Sequence, residues 1–411
     1  MKILSVILTA LIFISVLSCH QIDIDPGGKT IVLDEKSAQL VEAENEFGLE
    51  LFQKIYASET KHDNIMVSPL SVSLALAMTY NGANGETQTA MEETLKVYGL
   101  TPDDINQSYA SLVAALQSLD PKVLLEIANA IYYRDDFQVE NDFISTNKKY
   151  YDAEVEALDF GSPTALETIN GWVADKTHNK IDKILDRISR DHVMFLLNAI
   201  YFKGIWRSEF DKKDTQKRPF YFGDSGFTAT ETMQKTDSMQ YTSNDIFSAV
   251  RLPYGAGNYN MYVFLPNTDR TIDDIIQNLD TENWTNWMAG FGAVQNVDLQ
   301  LPRFKYAYEI KLNDVLTEMG MGVAFTGGAD FTGINKNGNL FIDYVKHKTF
   351  IEVNEEGTEA AAVTIVAVER TSVGGPQNIL FYVNRPFMYV ITEKDTGAIL
   401  FIGTVKNPQA E

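Results

Sequence analysis

The sequence is short of cysteine, histidine and cationic side chains. Its 411 residues include one cysteine, so no disulfide can form within the chain and packing must stabilise the fold. Five scattered histidines and that cysteine give none of the closely spaced ligand pairs that hold zinc, so we expect no metal site and no cofactor. Lysine and arginine total 34 against 56 acidic residues, a net charge of −22, which argues against nucleic acid as a partner because phosphate contacts depend on cations.

Long apolar runs are equally scarce, and the one that exists is N-terminal. Residues 3–17 are almost entirely apolar, but a run of about 15 residues is shorter than the ~20 that a membrane-spanning helix needs. The run follows Lys2 and predicts a signal peptide over residues 1–19, so we expect an exported protein. Residues 20–37 contain proline, adjacent glycines and few large apolar side chains, which is typical of a flexible tether.

The signal peptide ends in a motif that predicts lipid attachment. Val16-Leu17-Ser18-Cys19 resembles the bacterial lipoprotein cleavage box, in which the cysteine becomes the acylated first residue of the mature chain. Leu17 is bulkier than the residue usual at its position in that box. An acylated Cys19 predicts a lipoprotein of the outer membrane or cell surface that meets the membrane only through its anchor. Ordinary secretion is the alternative.

The remaining chain, residues 38–411, has no repeat, low-complexity tract or clear linker, and we expect a single domain. Its first half is rich in helical patterns, the clearest being an apolar helix over residues 69–80 with Ser68 as its N-cap. Helices mixed with antiparallel strands predict the α+β class. The clearest strand patterns cover residues 122–133, 195–202, 247–252, 261–265, 297–301, 341–353, 379–392 and 398–404.

One segment near the C-terminus combines a strand pattern with an exposed turn. From Thr358 to Val368, alternate residues form a face of threonine, alanine and valine with no charge and no proline, while the other face carries the acids. This period of two predicts a strand with one buried face. Glycines and a proline at 374–376 follow as a turn. Such a segment is suited to two states, interior strand and exposed loop; an ordinary edge strand is the alternative.

Several blocks of this sequence resemble the serpin family and follow one another in the family's order. They are Asn64–Thr87, Leu196–Trp206, Val353–Thr364, Phe381–Phe387 and Phe401–Pro408. The blocks span almost all of residues 38–411. The lipoprotein leader and the composition of the segment after Glu355 are most similar to bacterial serpins of the miropin type.

The resemblance implies a serpin fold with three β-sheets, eight to nine helices and an exposed reactive-centre loop. It also implies an inhibitor rather than an enzyme. A serine protease, or also a cysteine protease, would cut the loop as a substrate and be trapped as an acyl-enzyme when the loop inserts into the central sheet. The partners are then target proteases, of several classes if several bonds can be cut, and a monomer is expected.

The resemblance further assigns roles to individual residues. The hinge that leads the loop into the sheet corresponds to Glu355, Gly357, Thr358, Glu359, Ala360, Ala361 and Ala362. A buried polar cluster where the central sheet opens corresponds to Ser68, Ser71, Asn198 and His347, with Trp206 near the top of the sheet. Neither a charge nor a proline faces inward along the hinge, so nothing there opposes insertion.

Two arguments place the cleaved bond differently. Arg370 offers the long cation that the acidic pocket of trypsin-like proteases binds, which favours cleavage between Arg370 and Thr371. Counting the family's usual hinge length from Glu355 instead places the cut between Thr371 and Ser372. Val368–Glu369 is a third candidate. The cation makes trypsin-like proteases the favoured targets.

Other functions stay open at the level of sequence. A non-inhibitory serpin, acting as a binding or surface-interaction module, would carry bulky, charged or proline residues facing inward along the hinge, and this sequence does not. A serine hydrolase built on Ser68 and His347 lacks a recognisable acid partner. A stable covalent complex with a protease would separate an inhibitor from these alternatives.

Overall fold

The computed structural model describes residues 29–222, 226–292, 294–358 and 378–410. In this part of the chain no helix is both long and apolar enough to cross a membrane. The nine α-helices of the described residues are α1 (Glu35–Ser58), α2 (Pro69–Tyr80), α3 (Gly85–Thr94), α4 (Pro102–Gln117), α5 (Asn141–Tyr151), α6 (Pro163–Lys176), α7 (Ile272–Gln277), α8 (Thr281–Ala289) and α9 (Asn313–Leu316).

Strands interleave with these helices along the whole described chain. They are β1 (Ile65–Val67), β2 (Val123–Arg134), β3 (Glu154–Leu158), β4 (Met194–Ile205), β5 (Gln216–Tyr221), β6 (Phe227–Ser243), β7 (Phe247–Pro253), β8 (Tyr259–Pro266), β9 (Val294–Pro302), β10 (Phe304–Lys311), β11 (Lys346–Val353), β12 (Gly357–Thr358), β13 (Ile379–Tyr382), β14 (Phe387–Glu393) and β15 (Ile399–Val405).

The described strands form two hydrogen-bonded sheets. The central sheet has six strands in the order β10-β11-β12-β4-β2-β3. The second sheet has nine strands, ordered β1-β15-β14-β8-β7-β6-β9-β13 with β5 beside β6. Strand β6 is 17 residues long; it pairs first with β5 and β9 and finally with β7. Through these pairings β6 connects two of the three sheets that the resemblance implies into one continuous hydrogen-bonded sheet. The predicted α+β serpin fold is confirmed.

Helix α2 forms the layer between the two sheets. Ser68 caps it by accepting a hydrogen bond from the N–H of Ser71, and Pro69 lies in the first turn, where no N–H is required. Eleven of its 12 residues are buried, because it contacts both β4 of the central sheet and β15 of the second sheet. A helix that is apolar all round suits such a position. Its bounds are those predicted from the sequence.

A second apolar cluster covers the opposite face of the central sheet. It joins α6 and the segment that follows α6 to the outer faces of β2 and β4. Its members include Ile169, Trp172, Ile181, Ile184, Leu185, Phe195 and Leu197. The central sheet is therefore covered on both faces, by α2 and by the layer built from α6.

The strand predicted over residues 341–353 is shorter in the structure. Only its second part, β11, is a strand. The N–H of Leu312 donates to the carbonyl of Val345 at 2.8 Å, and the N–H of Ile342 donates to the carbonyl of Ala324 at 2.9 Å. Backbone groups of this stretch therefore bond to the helical region around α9 instead of a neighbouring strand.

The last part of the predicted tether, residues 20–37, is held against the body of the protein. The carbonyl of Lys29 accepts a hydrogen bond from the Asn258 side chain at 2.7 Å. The N–H of Ile31 donates to the carboxylate of Asp395 at 3.1 Å. Helix α1 begins within the predicted tether, so the ordered body starts earlier than residue 38.

Candidate functional site

The two-residue strand β12 lies inside the central sheet, between β11 and β4. Gly357 pairs with Ile205, and Thr358 pairs with Gly204 on one side and with Val353 on the other, all antiparallel. These two residues belong to the predicted hinge. Within the described residues the hinge therefore already occupies a strand position, at the end of the sheet that we call the top.

Close approach of β12 to β4 requires glycine at position 357, and the packing of Tyr254 against β4 requires glycine at position 204. A Cβ on Gly357 would lie 2.0 Å from the carbonyl oxygen of Gly204, a distance that no side chain can adopt. A Cβ on Gly204 would lie 2.8 Å from the ring of Tyr254. Any other residue at Gly357 would push the hinge away from the sheet.

Aromatic side chains pack beneath the entry point of the hinge. Trp206 is 3% exposed, stacks on Tyr254 with ring centroids 4.4 Å apart, and donates its indole N–H to the carbonyl of Asn354 at 2.9 Å. The hydroxyls of Thr358 and Tyr254 are 2.6 Å apart. Thr358, also 3% exposed, therefore faces the core, and Trp206 lies at the top of the sheet.

A buried carboxylate fixes the chain just before β12. Glu355 is 1% exposed, and Nε of Arg303 lies 2.8 and 2.9 Å from its two oxygens. Burial raises the pKa of the Glu355 carboxyl, but hydrogen bonds from Arg303 and Thr215 outweigh burial and hold that pKa below its usual range. The next residue, Glu356, pairs with Lys212. Ion pairs thus hold the base of the hinge while the residues after it enter the sheet.

Below β12 the described strands leave the central sheet open. Among the described residues β4 and β11 are joined only through β12, and we call the opening between them the slot. A cavity of about 630 Å³ lies in the slot, lined mainly by apolar side chains of β4, α2 and residues 339–345. Two strand edges that face each other without a strand between them form a template for one more strand.

Three of the four residues predicted to form a polar cluster meet beside the slot. His347 Nε2 accepts a hydrogen bond from the N–H of Ser68 at 3.0 Å, and Ser68 Oγ accepts one from the N–H of Ser71 at 3.3 Å. Burial lowers the pKa of His347 to about 4, so the imidazole is neutral at pH 7. Asn198 instead donates to Asn129 at 2.9 Å, and its side-chain oxygen has no hydrogen-bond partner among the described residues.

Several predicted site residues lie outside the described part of the chain. They are the hinge residues Glu359, Ala360, Ala361 and Ala362, the reactive-bond residues Arg370 and Thr371, and the lipid-attachment residue Cys19. Their roles stay predictions.

Three residues that contact the hinge are not identified by the sequence analysis: Arg303, Thr215 and Tyr254. Arg303 is 52 residues from Glu355 in sequence, so no local pattern connects the two side chains. The one available signal is general: an acid in a segment that enters a sheet needs a cationic partner. The chain has 34 lysines and arginines, and that argument does not choose among them.

Comparison with known proteins agrees with this geometry. Iripin-2 of Ixodes ricinus is 34% identical over 378 residues, covering 90% of this chain and 94% of that protein. Intracellular coagulation inhibitor 2 of Tachypleus tridentatus is 32% identical over 381 residues, covering 91% and 92%. The crystal structure of the thermophilic serpin Tengpin in its native state aligns with a TM-score of 0.81 and 33% identity, covering 92% of this chain and 96% of that one.

A family profile gives the same result over nearly the whole chain. The profile described as Serpin (serine protease inhibitor) matches residues 42–408. The match includes the hinge, the slot and the polar cluster. The chain belongs to the serpin family, whose members are protease inhibitors rather than enzymes.

Proposed function

We propose that this protein inhibits serine proteases as a suicide substrate whose cleaved loop becomes a further strand of the central sheet. The observation that carries the proposal is β12, seated between β11 and β4 above the open slot. The facing edges of β4 and β11 offer backbone hydrogen bonds to any strand that fills the slot. The family profile and a relative named as an inhibitor support protease inhibition in general.

The register of β12 predicts where each inserted residue would lie. Thr358 is opposite Gly204 and Val353, so each later loop residue comes opposite a residue one step earlier on both neighbouring strands. Continued down the slot, this register brings Thr364 between Asn198 and His347.

That position matches the chemistry of the slot. Beyond Thr358, the inward-facing loop residues are alanine and valine except for Thr364. The Thr364 hydroxyl would arrive beside the side-chain oxygen of Asn198, which has no hydrogen-bond partner among the described residues. The one polar inward residue of the loop beyond Thr358 would thus come level with two polar side chains that line the slot, those of Asn198 and His347.

The trap follows from ordinary acyl transfer. The protease serine attacks the carbonyl carbon before the cleaved bond, the peptide C–N bond breaks, and the new amine leaves with the C-terminal part of the chain. The loop stays attached to the serine as an ester. Insertion of about 14 residues at ~3.3 Å each moves that ester ~46 Å along the sheet before water can attack it.

The target class follows from the residue before the cut. We assign that place to Arg370, which selects trypsin-like proteases through a charge-assisted contact with an acidic pocket. The bonds after Thr371 and Val368 are the alternatives, and their use would extend inhibition to further protease classes, cysteine proteases among them.

The same proposal includes the setting in which the inhibitor acts. The signal peptide and Cys19 support export and lipid anchoring, as in the bacterial lipoprotein-type serpins that the leader resembles. The trap needs one copy of the chain, so the acting form is a monomer.

A denaturing gel tests the proposed function. The purified protein is mixed with trypsin, with an elastase-like protease and with a subtilisin-like protease. Each protease is used once in molar excess over the inhibitor and once in molar deficit. We expect a band that survives denaturation at the summed mass of trypsin and the inhibitor body, and none with trypsin whose serine is chemically blocked. Cleaved inhibitor beside fully active protease in all three reactions would overturn the proposal.

A further inference from the structure

The first residue that the structure describes, Lys29, lies beside the end of the central sheet from which the hinge leaves. Its carbonyl accepts a hydrogen bond from the side chain of Asn258 at 2.7 Å. Asn258 belongs to the turn between β7 and β8, residues 254–258, which we call the β7–β8 turn. In this turn the N–H of Gly255 donates to the carbonyl of Ile205, a residue of β4 that pairs with β12. Lys29 and the base of the reactive loop are therefore close to the same turn.

Three cationic residues contact the β7–β8 turn. One is Lys29. Another is Lys394, whose backbone N–H donates to the carbonyl of Asn258 at 2.7 Å. The third is Arg207, whose guanidinium lies 3.0 Å from the point that a Cβ on Gly257 would occupy. All three cationic residues are exposed, so their positive charges lie at the surface around one turn.

A fourth cation, Lys122, is joined to the same turn through a buried carboxylate. The N–H of Lys122 donates to one oxygen of Asp120 at 2.9 Å, and the N–H of Ala256 in the turn donates to the other oxygen at 2.7 Å. Lys122 is exposed as well. We call these four cations the basic patch: Lys29, Lys122, Arg207 and Lys394.

The acids next to the basic patch are held by backbone groups. Asp120 and Glu393 are only 4% and 0% exposed, and the oxygens of both accept from backbone N–H groups. Asp395 is exposed and accepts from the N–H of Ile31 at 3.1 Å. The exposed charge around the β7–β8 turn is therefore mainly positive, although the whole chain has a net charge of −22.

The position of the basic patch relates it to the predicted lipid anchor. Lys29 follows Cys19 by ten residues, and a chain of that length spans at most ~36 Å. An acylated Cys19 would thus keep the patch near a bilayer and make its contact with lipid effectively intramolecular, so that a modest attraction per cation suffices. An anionic leaflet repels a protein of this net charge, and a positive region is the part that can approach it closely.

We propose that the basic patch docks on anionic lipid headgroups of the membrane that holds the acylated Cys19, so that the reactive loop is presented at the membrane surface. The inference rests on the lipid anchoring included in the proposed function. It adds the surface of the body that meets the membrane and the orientation that results. Insertion of the loop then moves a trapped protease toward the opposite end of the sheet, away from the bilayer.

A soluble polyanion, such as a sulfated polysaccharide, could pair with the same cations. The position of the patch favours the membrane, because the four cations surround the point at which the chain from Cys19 reaches the body. A site for a soluble chain would gain nothing from that position. The two occupants are separated by the test.

The test measures the orientation of the acylated full chain on vesicles, by energy transfer from a dye to acceptor lipids. Acylation occupies the only native cysteine, so one added cysteine carries the dye. Val32→Cys places it at an 89% exposed position close to the basic patch, and Gln138→Cys places it beyond the far end of β2. The 12 residues of β2 separate these two ends of the sheet by ~36 Å. The vesicles contain phosphatidylcholine alone, or phosphatidylcholine with one third phosphatidylglycerol.

We expect the dye at position 32 to transfer about twofold more energy on the anionic vesicles than on the neutral ones, and the dye at position 138 to transfer less. Salt at about 0.5 M should remove this difference, because it screens exposed charges. The variant Lys122→Gln/Lys394→Gln should lose most of the difference. The control Lys148→Gln/Lys336→Gln removes the same charge from exposed lysines that do not contact the β7–β8 turn, and it should keep the difference.

Three results would overturn the proposal. One is energy transfer that does not depend on anionic lipid. Another is a Lys122→Gln/Lys394→Gln chain that behaves like the unmodified protein while its unchanged melting temperature shows that it is folded. The third is retention of the protein on a sulfated polysaccharide through the patch without any response to anionic vesicles, which would assign the patch to a soluble polyanion.

Failure of lipid anchoring would look different. A chain whose Cys19 is not acylated attaches to neither kind of vesicle, and energy transfer is then absent. The Cys19→Ala chain decides the role of the patch in that case, by sedimentation with phosphatidylglycerol vesicles at millimolar lipid. More of this chain should sediment than of the same chain with Lys122→Gln/Lys394→Gln, and equal amounts would overturn docking by the patch.

Discussion

At the scale of single residues, His347 links the slot to pH. Its folded pKa of about 4 lies below the ordinary value of 6.5, so between these values the unfolded chain binds a proton that the folded protein does not. His347 therefore contributes a loss of stability as pH falls through that window. From pH 6.5 to pH 4 the free energy of unfolding should fall by about 3 kcal/mol through this one group.

The variant His347→Gln tests this contribution of His347 to the pH dependence of stability. The amide oxygen of the glutamine can still accept a hydrogen bond from the N–H of Ser68, but it cannot be protonated in this pH range. Urea unfolding at several pH values should show a weaker acid dependence in the variant by about 3 kcal/mol, and near-equal stability at pH 7. Parallel pH profiles for the two proteins would mean that His347 is not buried in neutral form.

Arg370 should determine which proteases are inhibited. Arg370→Ala removes the cation that pairs with the carboxylate of a trypsin-like pocket, so association with trypsin should slow by orders of magnitude. Elastase-like targets should be kept or gained, since the residues around the cut are then small. With unmodified protein and trypsin, mass spectrometry should find a C-terminal peptide that begins at Thr371. Unchanged trypsin inhibition, or a peptide that begins at Ser372, would move the assignment to Thr371.

Single residues also show how far sequence alone leads. Ser68 and Ser71 lie within one family motif and His347 lies shortly before another, so the resemblance could place the three residues together, and hydrogen bonds join them. Arg303 could not be placed, since its partnership with Glu355 arises only when β9 and β10 bring it beside the hinge. Local patterns find residues in motifs; they do not find a partner that tertiary packing supplies.

At the scale of elements, β12 allows a test of whether the hinge inserts with Thr358 facing inward. Thr358→Arg would force a cation into a position that is 3% exposed beside Tyr254, at a cost of roughly 3–5 kcal/mol if no partner is available. Since Thr358 is already buried in β12 of the intact protein, the cation should drive the hinge out of the sheet. The penalty then opposes insertion of the cleaved loop but not recognition of the cleaved bond. The variant should be cut by trypsin at a normal rate yet release active protease, seen as a large rise in the molar ratio needed for inhibition.

The neighbouring position provides the control. The sequence alternation predicts that Glu359 faces outward in the inserted strand, so Glu359→Arg should change the charge by two without burying it and leave the covalent complex nearly unaffected. If Thr358→Arg forms complex at the ratio of the unmodified protein, the hinge does not insert with Thr358 facing inward.

The bounds of helices and strands could be predicted from the sequence where a local rule determines them. The cap at Ser68 and the apolar run after it predict α2 at its observed bounds. The run over residues 379–392 predicts one strand, but the structure has two, because β13 pairs with β9 whereas β14 pairs with β8 and β15. Pro386, which has no N–H to contribute to a ladder, lies directly before β14. The length of β11 depends on backbone hydrogen bonds between the residues before it and the region around α9. The alternation of apolar residues in the sequence does not predict these bonds.

At the scale of the whole molecule, the proposed lipid anchor at Cys19 would determine where the inhibitor works. Cys19→Ala should release the protein from the membrane or stall removal of the leader, since one acyl chain binds membranes weakly and stable anchoring needs the two or three chains of an acylated cysteine. Membrane fractionation and the mass of the mature chain provide the measurement, with Ser18→Ala as control. A Cys19→Ala protein that is normally processed and still membrane-bound would contradict lipidation.

The central claim concerns the molecule as a whole: the open slot makes the intact form less stable than the form in which the loop fills it. Filling the slot would pair the facing edges of β4 and β11 and bury a row of small side chains. The most direct measurement is the melting temperature before and after one cut in the loop, made by a protease that is then removed. We expect the melting temperature to rise by tens of degrees on cleavage; an unchanged melting temperature would contradict insertion and with it the proposed mechanism.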